Sequence, residues 1–341
     1  MRLLVTGGGG FVMAHVVRRW LESDPAVRAV VLDAAPLDAV ATAFFAPVAD
    51  RLEVRRGDVR EAAVWDALPD DITHLVHGAA MTPHSWRDEA GNLHRVEWER
   101  PLDIVTVNEI GTARALDRAR RLPGLQRFVN VSSGSVYANH VPAQGDGSLP
   151  LAETEGIDPE GLYAITKLNG EMLTRRFAQL YGLPALSVRL SGVYGPLDRY
   201  TSARHVRGLG YQLCNRLAAG LPLRVTSGMI AGDVISAVDV GAAILGLLQA
   251  PEAALRHGVY NIAYGTLQTV AELVELARPA VPEARLELVD AGEVDIDQDP
   301  ALRTGRWGAY DIARIQAATG WRPRPQADAL AEYIAWLRRE G

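Results

Sequence analysis

The 341-residue chain is 48% apolar and 22% charged, carries a formal charge of −6 and contains a single cysteine. At about 150 residues per domain this is one large domain or two closely joined ones, with enough chain to bury a core. The acidic balance without a basic run argues against a nucleic-acid partner, no apolar run approaches the ~20 residues of a membrane span, and a lone Cys214 with no charged-then-apolar leader points to a reducing, cytoplasmic setting.

Along the first 190 residues, short β-rich runs alternate with stretches of helical apolar spacing. Residues 3–6, 29–32, 52–55, 74–77, 127–131 and 186–190 read as strands, and 12–21, 61–68, 104–121 and 162–181 as helices. That alternation predicts a doubly wound α/β domain, a parallel sheet covered by helices, with ligands at the C-terminal strand ends. Thr6-Gly7-Gly8-Gly9-Gly10-Phe11-Val12 closes the first strand and opens the first helix. Glycines there let a backbone approach a pyrophosphate placed on the helix N-terminus. The second strand ends at Asp33, whose carboxylate can accept from both hydroxyls of an adenosine ribose and would repel a 2′-phosphate. NAD is therefore expected over NADP. The third strand ends in Gly57-Asp58-Val59, placing a carboxylate beside the expected adenine, a role compatible with its also serving as a helix N-cap.

Two segments interrupt the pattern. Residues 81–101 form a long polar connection with Thr82, His84, Trp86, His94 and Trp98, expected to be irregular and to act as a lid or binding loop. Residues 138–159 make a second loop over the same sheet edge. Beyond Tyr194 the regularity loosens, with 234–249 and 260–262 expected to return to the main sheet and 310–319 and 329–338 to be helical.

The chemistry concentrates around Ser132-Ser133-Gly134-Ser135 and, thirty residues after Ser133, Tyr163-Ala164-Ile165-Thr166-Lys167. Positions i and i+4 share a helix face, so the phenol and the ammonium point the same way. A phenol of pKa ~10 is a poor base at neutral pH, and neighbouring positive charge favours its ionised form. Of 35 basic residues, 34 are arginine, so Lys167, the one lysine, stands where a thin, flexible ammonium is needed. Other readings are weaker. His84, His94 and Glu97 match no familiar metal-ligand spacing, so no metal is expected; no Gly-x-Ser-x-Gly turn supports a hydrolase; Cys214 and Asp239 read as packing and structural pairing.

Taken together, the Thr6–Val12 turn, Asp33, Gly57-Asp58, His77-Gly78-Ala79-Ala80, Asn108, Ser132–Tyr137, Tyr163–Lys167 and Arg189–Pro196 resemble the extended short-chain dehydrogenases/reductases, also called the NAD-dependent epimerase/dehydratase family. The resemblance covers nearly the whole chain. It implies a Rossmann-type sheet binding NAD over 1–190, with 233–264 returning to it, and a smaller substrate-binding domain from 191–232 and 265–341. By the same resemblance Ser133, Tyr163 and Lys167 are catalytic, with Tyr163 the general base. Gly7, Gly10, Phe11, Val12, Asp33, Asp58, Val59, Ala79, Ala80 and Asn108 serve the cofactor, together with Tyr163 and Lys167. Thr82, His84, Ser135, Ser191, Arg204 and Arg303 are substrate-side candidates, and a homodimer through the two long helices is implied.

The departures from the family pattern are specific. Its third glycine falls at Met13, where helix and strand pack closely. Gly134-Ser135 replaces the Asp-Glu pair of the sugar-nucleotide dehydratases, so water elimination is not expected. Gly192 and Gly232 replace an asparagine and an arginine that grip a diphosphate, with Arg204, Arg207, Arg303 or Arg306 as possible substitutes. The expected activity is hydride transfer at a hydroxyl-bearing carbon of a sugar, sugar acid or similar small molecule. The alternatives are a UDP-sugar epimerase with tightly held NAD and a non-catalytic NAD-sensing protein.

Overall fold

The computed structural model describes residues 1–137, 150–199, 208–226, 228–290, 294–296 and 308–340. Its centre is a seven-stranded parallel sheet of β1 (Arg2–Thr6), β2 (Arg28–Asp33), β3 (Leu52–Arg56), β4 (His74–His77), β5 (Arg127–Ser133), β6 (Ala185–Leu190) and β7 (Val259–Ile262). The order across the sheet is β3-β2-β1-β4-β5-β6-β7, so the chain reverses direction of growth between β1 and β4. Ligand crevices form at such a switch point, beyond the carboxyl ends of the strands. The register brings Thr6 opposite both Leu32 and His77, lining up the ends of β1, β2 and β4.

The inner strands β1, β2 and β4 carry apolar runs because both faces are buried, whereas the edge strand β3 is half-exposed. Alternate residues sort onto two cores: Leu3, Val5, Val31, Val76 and Val129 on one side, Leu4, Val30, Leu75 and Phe128 on the other. The first core is closed by helices α1 (Phe11–Ser23) and, late in the chain, Ala237–Gln249. These two helices approach so closely that a Cβ on Gly241 would stand 2.9 Å from the His15 carbonyl oxygen. The second core is closed by α2 (Gly111–Arg121) and by the apolar stripe of α3 (Leu162–Tyr181). A third apolar core, built from Leu213, Cys214, Leu217, Leu223, Val274 and Tyr333 among others, lies outside the sheet and gathers the chain after β6. Among the described residues, no helix is long and apolar enough to cross a membrane.

Several boundaries differ from the sequence expectation. The 81–101 connection is not irregular: Ser85–Arg87 and Leu93–Arg95 form an antiparallel hairpin, followed by a helical turn at Val96–Glu99. Trp86 stacks on His94 at 5.3 Å across it, and the Asp88 carboxylate accepts from the Asn92 backbone at 2.8 Å to close the turn. The helix expected at 61–68 shrinks to Ala62–Asp66. The helix expected from 104 starts at Pro101 and contains a π-helical turn, Thr106–Ile110, before α2. The segment 234–249 does not enter the main sheet as a strand: Val234–Ser236 pairs with Gly192–Tyr194 in a separate ribbon, and only Val259–Ile262 joins the sheet. The helix expected from 310 begins at Ala313, because Tyr310 is held in a bridge to Leu151.

Met13 finds its room on the opposite element. It is buried, and a Cβ on Gly78 at the end of β4 would overlap its sulfur. The clearance that a glycine on the helix would give is thus supplied by a glycine on the strand. Gly78→Ala should therefore destabilise the fold by about 1–3 kcal/mol, as overpacking does. Thermal melts of a double-mutant cycle with Met13→Ala check this, the second change being expected to recover most of the loss.

Candidate functional site

The turn after β1 is shaped by two close approaches. Gly7 takes φ +70°, a left-handed conformation, and a Cβ there would lie 3.0 Å from Ala79 Cα. The Gly7 amide donates to the Leu32 carbonyl (2.8 Å), and the Gly10 amide to the Gly7 carbonyl (3.1 Å). Thr6 Oγ accepts from the amides of Gly78 and Ala79, both at 3.1 Å, which fixes the exit of β4 against that of β1. Gly10 is the N-cap of α1 and offers no side chain to its first-turn amides, and no acidic residue stands in that turn. A helix start of this kind, with its dipole, is suited to an anion. Phe11 is buried at the start of the helix, with Val12 half-buried beside it.

Asp33 is the acidic group of this crevice. One carboxylate oxygen accepts from the Gly9 amide at 3.1 Å and the other from Ala35 at 3.3 Å, while burial raises its pKa. A glycine turn, an uncapped helix start and a carboxylate at the end of β2 fit the pyrophosphate and adenosine ribose of NAD. Asp58 is more heavily engaged. Arg60 grips its carboxylate at 2.7 Å and holds its pKa down, with Asp103 completing the pair at 3.0 Å. It does not cap the following helix, whose N-cap is Glu61. Val59 is buried and accepts from the Trp65 indole (2.8 Å).

On the neighbouring side, β5 delivers Ser133, and α3 delivers Tyr163 and Lys167 one turn apart. Lys167 is buried; its Nζ donates to the Val131 carbonyl at 2.8 Å and lies 5.6 Å from the centre of the Tyr163 ring. Burial lowers its pKa to about 8, against the attraction of Glu171, so it remains an ammonium at neutral pH. Ser133 Oγ accepts from both the amide (3.2 Å) and the hydroxyl (3.0 Å) of Ser135. Asn108 sits in the π-helical turn, a feature frequent at functional sites. Its side chain pairs both ways with the Met81 backbone (2.8 and 3.1 Å) and donates to Thr166 Oγ on α3 (3.0 Å). It therefore ties the exit of β4, beside Ala80, to the helix that carries Tyr163.

The remaining candidates are scattered. Ser191 is buried with its hydroxyl unpaired among the described residues, whereas Thr82 and half-buried His84 lie at the base of the hairpin. Arg204 and Arg303, together with Arg207 and Arg306, lie outside the described residues. Gly232 takes φ +93°, a backbone conformation an arginine would enter only under strain. Among the described residues no cluster of His, Cys, Asp or Glu is arranged to hold a metal ion. Cys214 is buried, which pushes its thiol pKa up, and Asp239 is paired with Arg324 at 2.9 Å.

The roles of three residues near the site escaped sequence reasoning. Glu171, four residues after Lys167, forms a buried bidentate pair with Arg189 (2.8 Å), a position the helical repeat could have flagged. Glu97 accepts from the Leu162 amide at 3.0 Å and so caps α3 from the 81–101 segment. Tyr310 places its phenol against Gly134. No local pattern announces the last two.

The sequence profile described as the NAD dependent epimerase/dehydratase family matches residues 3–263. Among curated relatives, a dTDP-glucose 4,6-dehydratase of Mycolicibacterium smegmatis is 28% identical, covering 99% of this chain and 93% of its own. A GDP-6-deoxy-D-mannose reductase of Pseudomonas aeruginosa is 29% identical, covering 94% and 92%. Among solved structures, a UDP-glucose 4-epimerase of Thermotoga maritima aligns with TM-score 0.75 at 22% identity over 100% of this chain and 99% of that one, which establishes a shared fold.

The placement of Asp33 generates a cofactor prediction. NAD should bind at least about tenfold more tightly than NADP, because a 2′-phosphate would meet a carboxylate. Asp33→Ser should weaken NAD and narrow that gap. Titration of both cofactors against tryptophan fluorescence measures it, and equal affinities in the parent protein would count against the assignment.

Proposed function

We propose that this chain, which belongs to the NAD dependent epimerase/dehydratase family, is an oxidoreductase that moves hydride to or from a hydroxyl-bearing carbon of a sugar unit. The observation that carries the reading is the buried ammonium of Lys167, held on the Val131 carbonyl one helical turn from Tyr163 and beside the strand that ends in Ser133. Bound NAD supplies the hydride acceptor or donor. Ser133 Oγ, already presented by Ser135, donates to the substrate oxygen and fixes its position. Tyr163 takes the hydroxyl proton as general base, and the Lys167 charge favours the ionised phenol. Asn108 keeps α3 in register with the exit of β4.

The relatives act, by their names, on nucleotide-linked sugars, which supports a nucleotide sugar as the substrate class. Gly134 and Ser135 provide no acid to expel a hydroxyl, which favours the reductase-like chemistry over the dehydratase-like one. A second reading, an epimerase that returns the hydride to the opposite face of a rotated keto sugar, is supported by the fold shared with the T. maritima enzyme.

We further propose that two copies pair through α3 and the helical stretch from Pro101. Leu102 is 76% exposed, Met172 and Tyr181 50% each and Ile110 45%, an apolar set along those helices. Sedimentation at micromolar concentration should show a dimer, and replacing Leu102 and Met172 with glutamate should give monomers.

Cofactor retention separates the enzyme readings. An oxidoreductase exchanging NAD every cycle should be isolated largely empty and should generate reduced cofactor in proportion to substrate. Stoichiometric retained NAD, with a UDP-sugar converted and no net absorbance change at the reduced-nicotinamide band, would establish the epimerase instead. In either case Tyr163→Phe should lower turnover at least about 100-fold with NAD affinity nearly unchanged. A parent protein inactive on a broad sugar and alcohol panel would favour the sensing role.

A further inference from the structure

The backbone at Gly134 has no side chain of its own, and another part of the chain fills the space. A Cβ at Gly134 would overlap the hydroxyl of Tyr310 and stand 2.6 Å from its Cζ. No larger residue at 134 is compatible with the phenol where it lies. The two positions, 176 residues apart, act as a pair: the strand end gives up a side chain and the C-terminal segment provides one.

Tyr310 is held there from several sides. Its amide donates to Asp233 Oδ2 at 3.0 Å, and the same carboxylate accepts from Tyr264 (2.8 Å) and Gly265 (3.0 Å). On either side of it, Leu151 donates to the Ala309 carbonyl at 2.7 Å and Asp311 to the Leu151 carbonyl at 3.0 Å. Asn261 adds a bond to the Asp311 carbonyl at 3.0 Å. The ring meets Tyr137 edge-on at 5.6 Å. Its hydroxyl makes no hydrogen bond to a described residue. Backbone and ring are fixed, and the polar tip, without a hydrogen-bond partner among the described residues, lies against Gly134, the residue after Ser133, which holds the substrate oxygen in the reading above.

We propose that Tyr310 is a specificity-determining residue whose hydroxyl donates to an oxygen substituent on a sugar carbon close to the reacting one. The inference rests on the oxidoreductase reading. Burial and the nearby Asp233 carboxylate push the phenol pKa up, so it serves as a neutral donor and not as a base. A phenol in this place also keeps a carboxylic acid out of it, in line with chemistry that moves hydride and retains the sugar's hydroxyls.

The test compares the parent with Tyr310→Phe, which keeps the ring and its contact with Tyr137. Both are assayed with NAD on UDP-, dTDP- and GDP-linked hexoses, free hexoses and hexuronic acids. On each sugar the parent turns over, the variant should show KM raised about tenfold, the loss of one neutral hydrogen bond. NAD affinity, melting temperature and inhibition by the matching free nucleotide should not move. On the parent protein alone, monodeoxy analogues of the best substrate should include one, altered away from the reacting carbon, with KM raised to the same extent. That analogue should be handled equally by parent and variant. An unchanged KM in Tyr310→Phe, or no such analogue, overturns the proposal and leaves the oxidoreductase reading standing. A parent that turns over no member of the panel overturns both.

Discussion

A single buried ammonium sets the terms for the heart of this molecule. Lys167 gives up water on every side, and an unpaired charge in such a place is costly. The Val131 carbonyl supplies one acceptor, and Glu171, one turn further along α3, supplies an opposite charge. That carboxylate is buried too, so it must be paired in turn, with Arg189 through two hydrogen bonds and with Ser132 at 2.6 Å. Arg189 then reaches the Glu153 carbonyl at 3.2 Å and lies 4.8 Å from the Tyr137 ring, and the Glu153 carboxylate is met by Arg314 and by the Asn261 amide. Each buried charge requires the next. Removing one member of such a chain leaves another uncompensated, a loss of about 3–5 kcal/mol. The chain of pairs runs from α3 through β5 and β6 to β7 and Arg314, so the geometry of the proposed site and the stability of the fold share the same contacts.

A second arrangement joins the end of the protein to the sheet edge. Asp233 stands at the start of the ribbon strand Val234–Ser236 and accepts from three backbone amides on two later segments. Burial raises its pKa to about 6, so the charged form is held against desolvation by those three bonds. Above that range the carboxylate is ionised and all three donors meet a full negative charge, which strengthens each bond. The third apolar core and the main sheet thereby meet at a polar junction, and Tyr310 is held against Gly134 at the end of β5.

Much of this was legible in the sequence wherever the signal was local. All seven sheet strands were marked in the sequence, six as short β-rich runs and the seventh as a return at 260–262, and the i, i+4 relation of Tyr163 and Lys167 needed only a helix. What was not legible depends on contacts between distant residues. Met13 reads as an obstacle until Gly78, 65 positions later, is brought opposite it. The hairpin at Ser85–Arg95 hides in a polar sequence because an aromatic stack and an aspartate turn hold it, and neither has a simple period. Tyr310 and Glu97 carry no mark in their surroundings; only the folded chain sets them beside Gly134 and the start of α3.

Gly232 shows how an apparent loss changes meaning once its backbone is seen. Read as a sequence, it is an arginine missing from a diphosphate grip. In the structure it occupies φ +93° in a strand that pairs irregularly with Gln268–Thr269, and the residue after it is the triple acceptor Asp233. An arginine at 232 would have to enter the left-handed region or shift that strand, moving Asp233 and with it the amides of Tyr264, Gly265 and Tyr310. The glycine therefore belongs to the scaffold that presents Tyr310, in the same sense that Gly134 makes space for its ring. Two positions without side chains and one phenol form a single unit. In the reading proposed above, its effect would be to move recognition away from a fixed cation on a diphosphate and toward a neutral donor beside the reacting carbon.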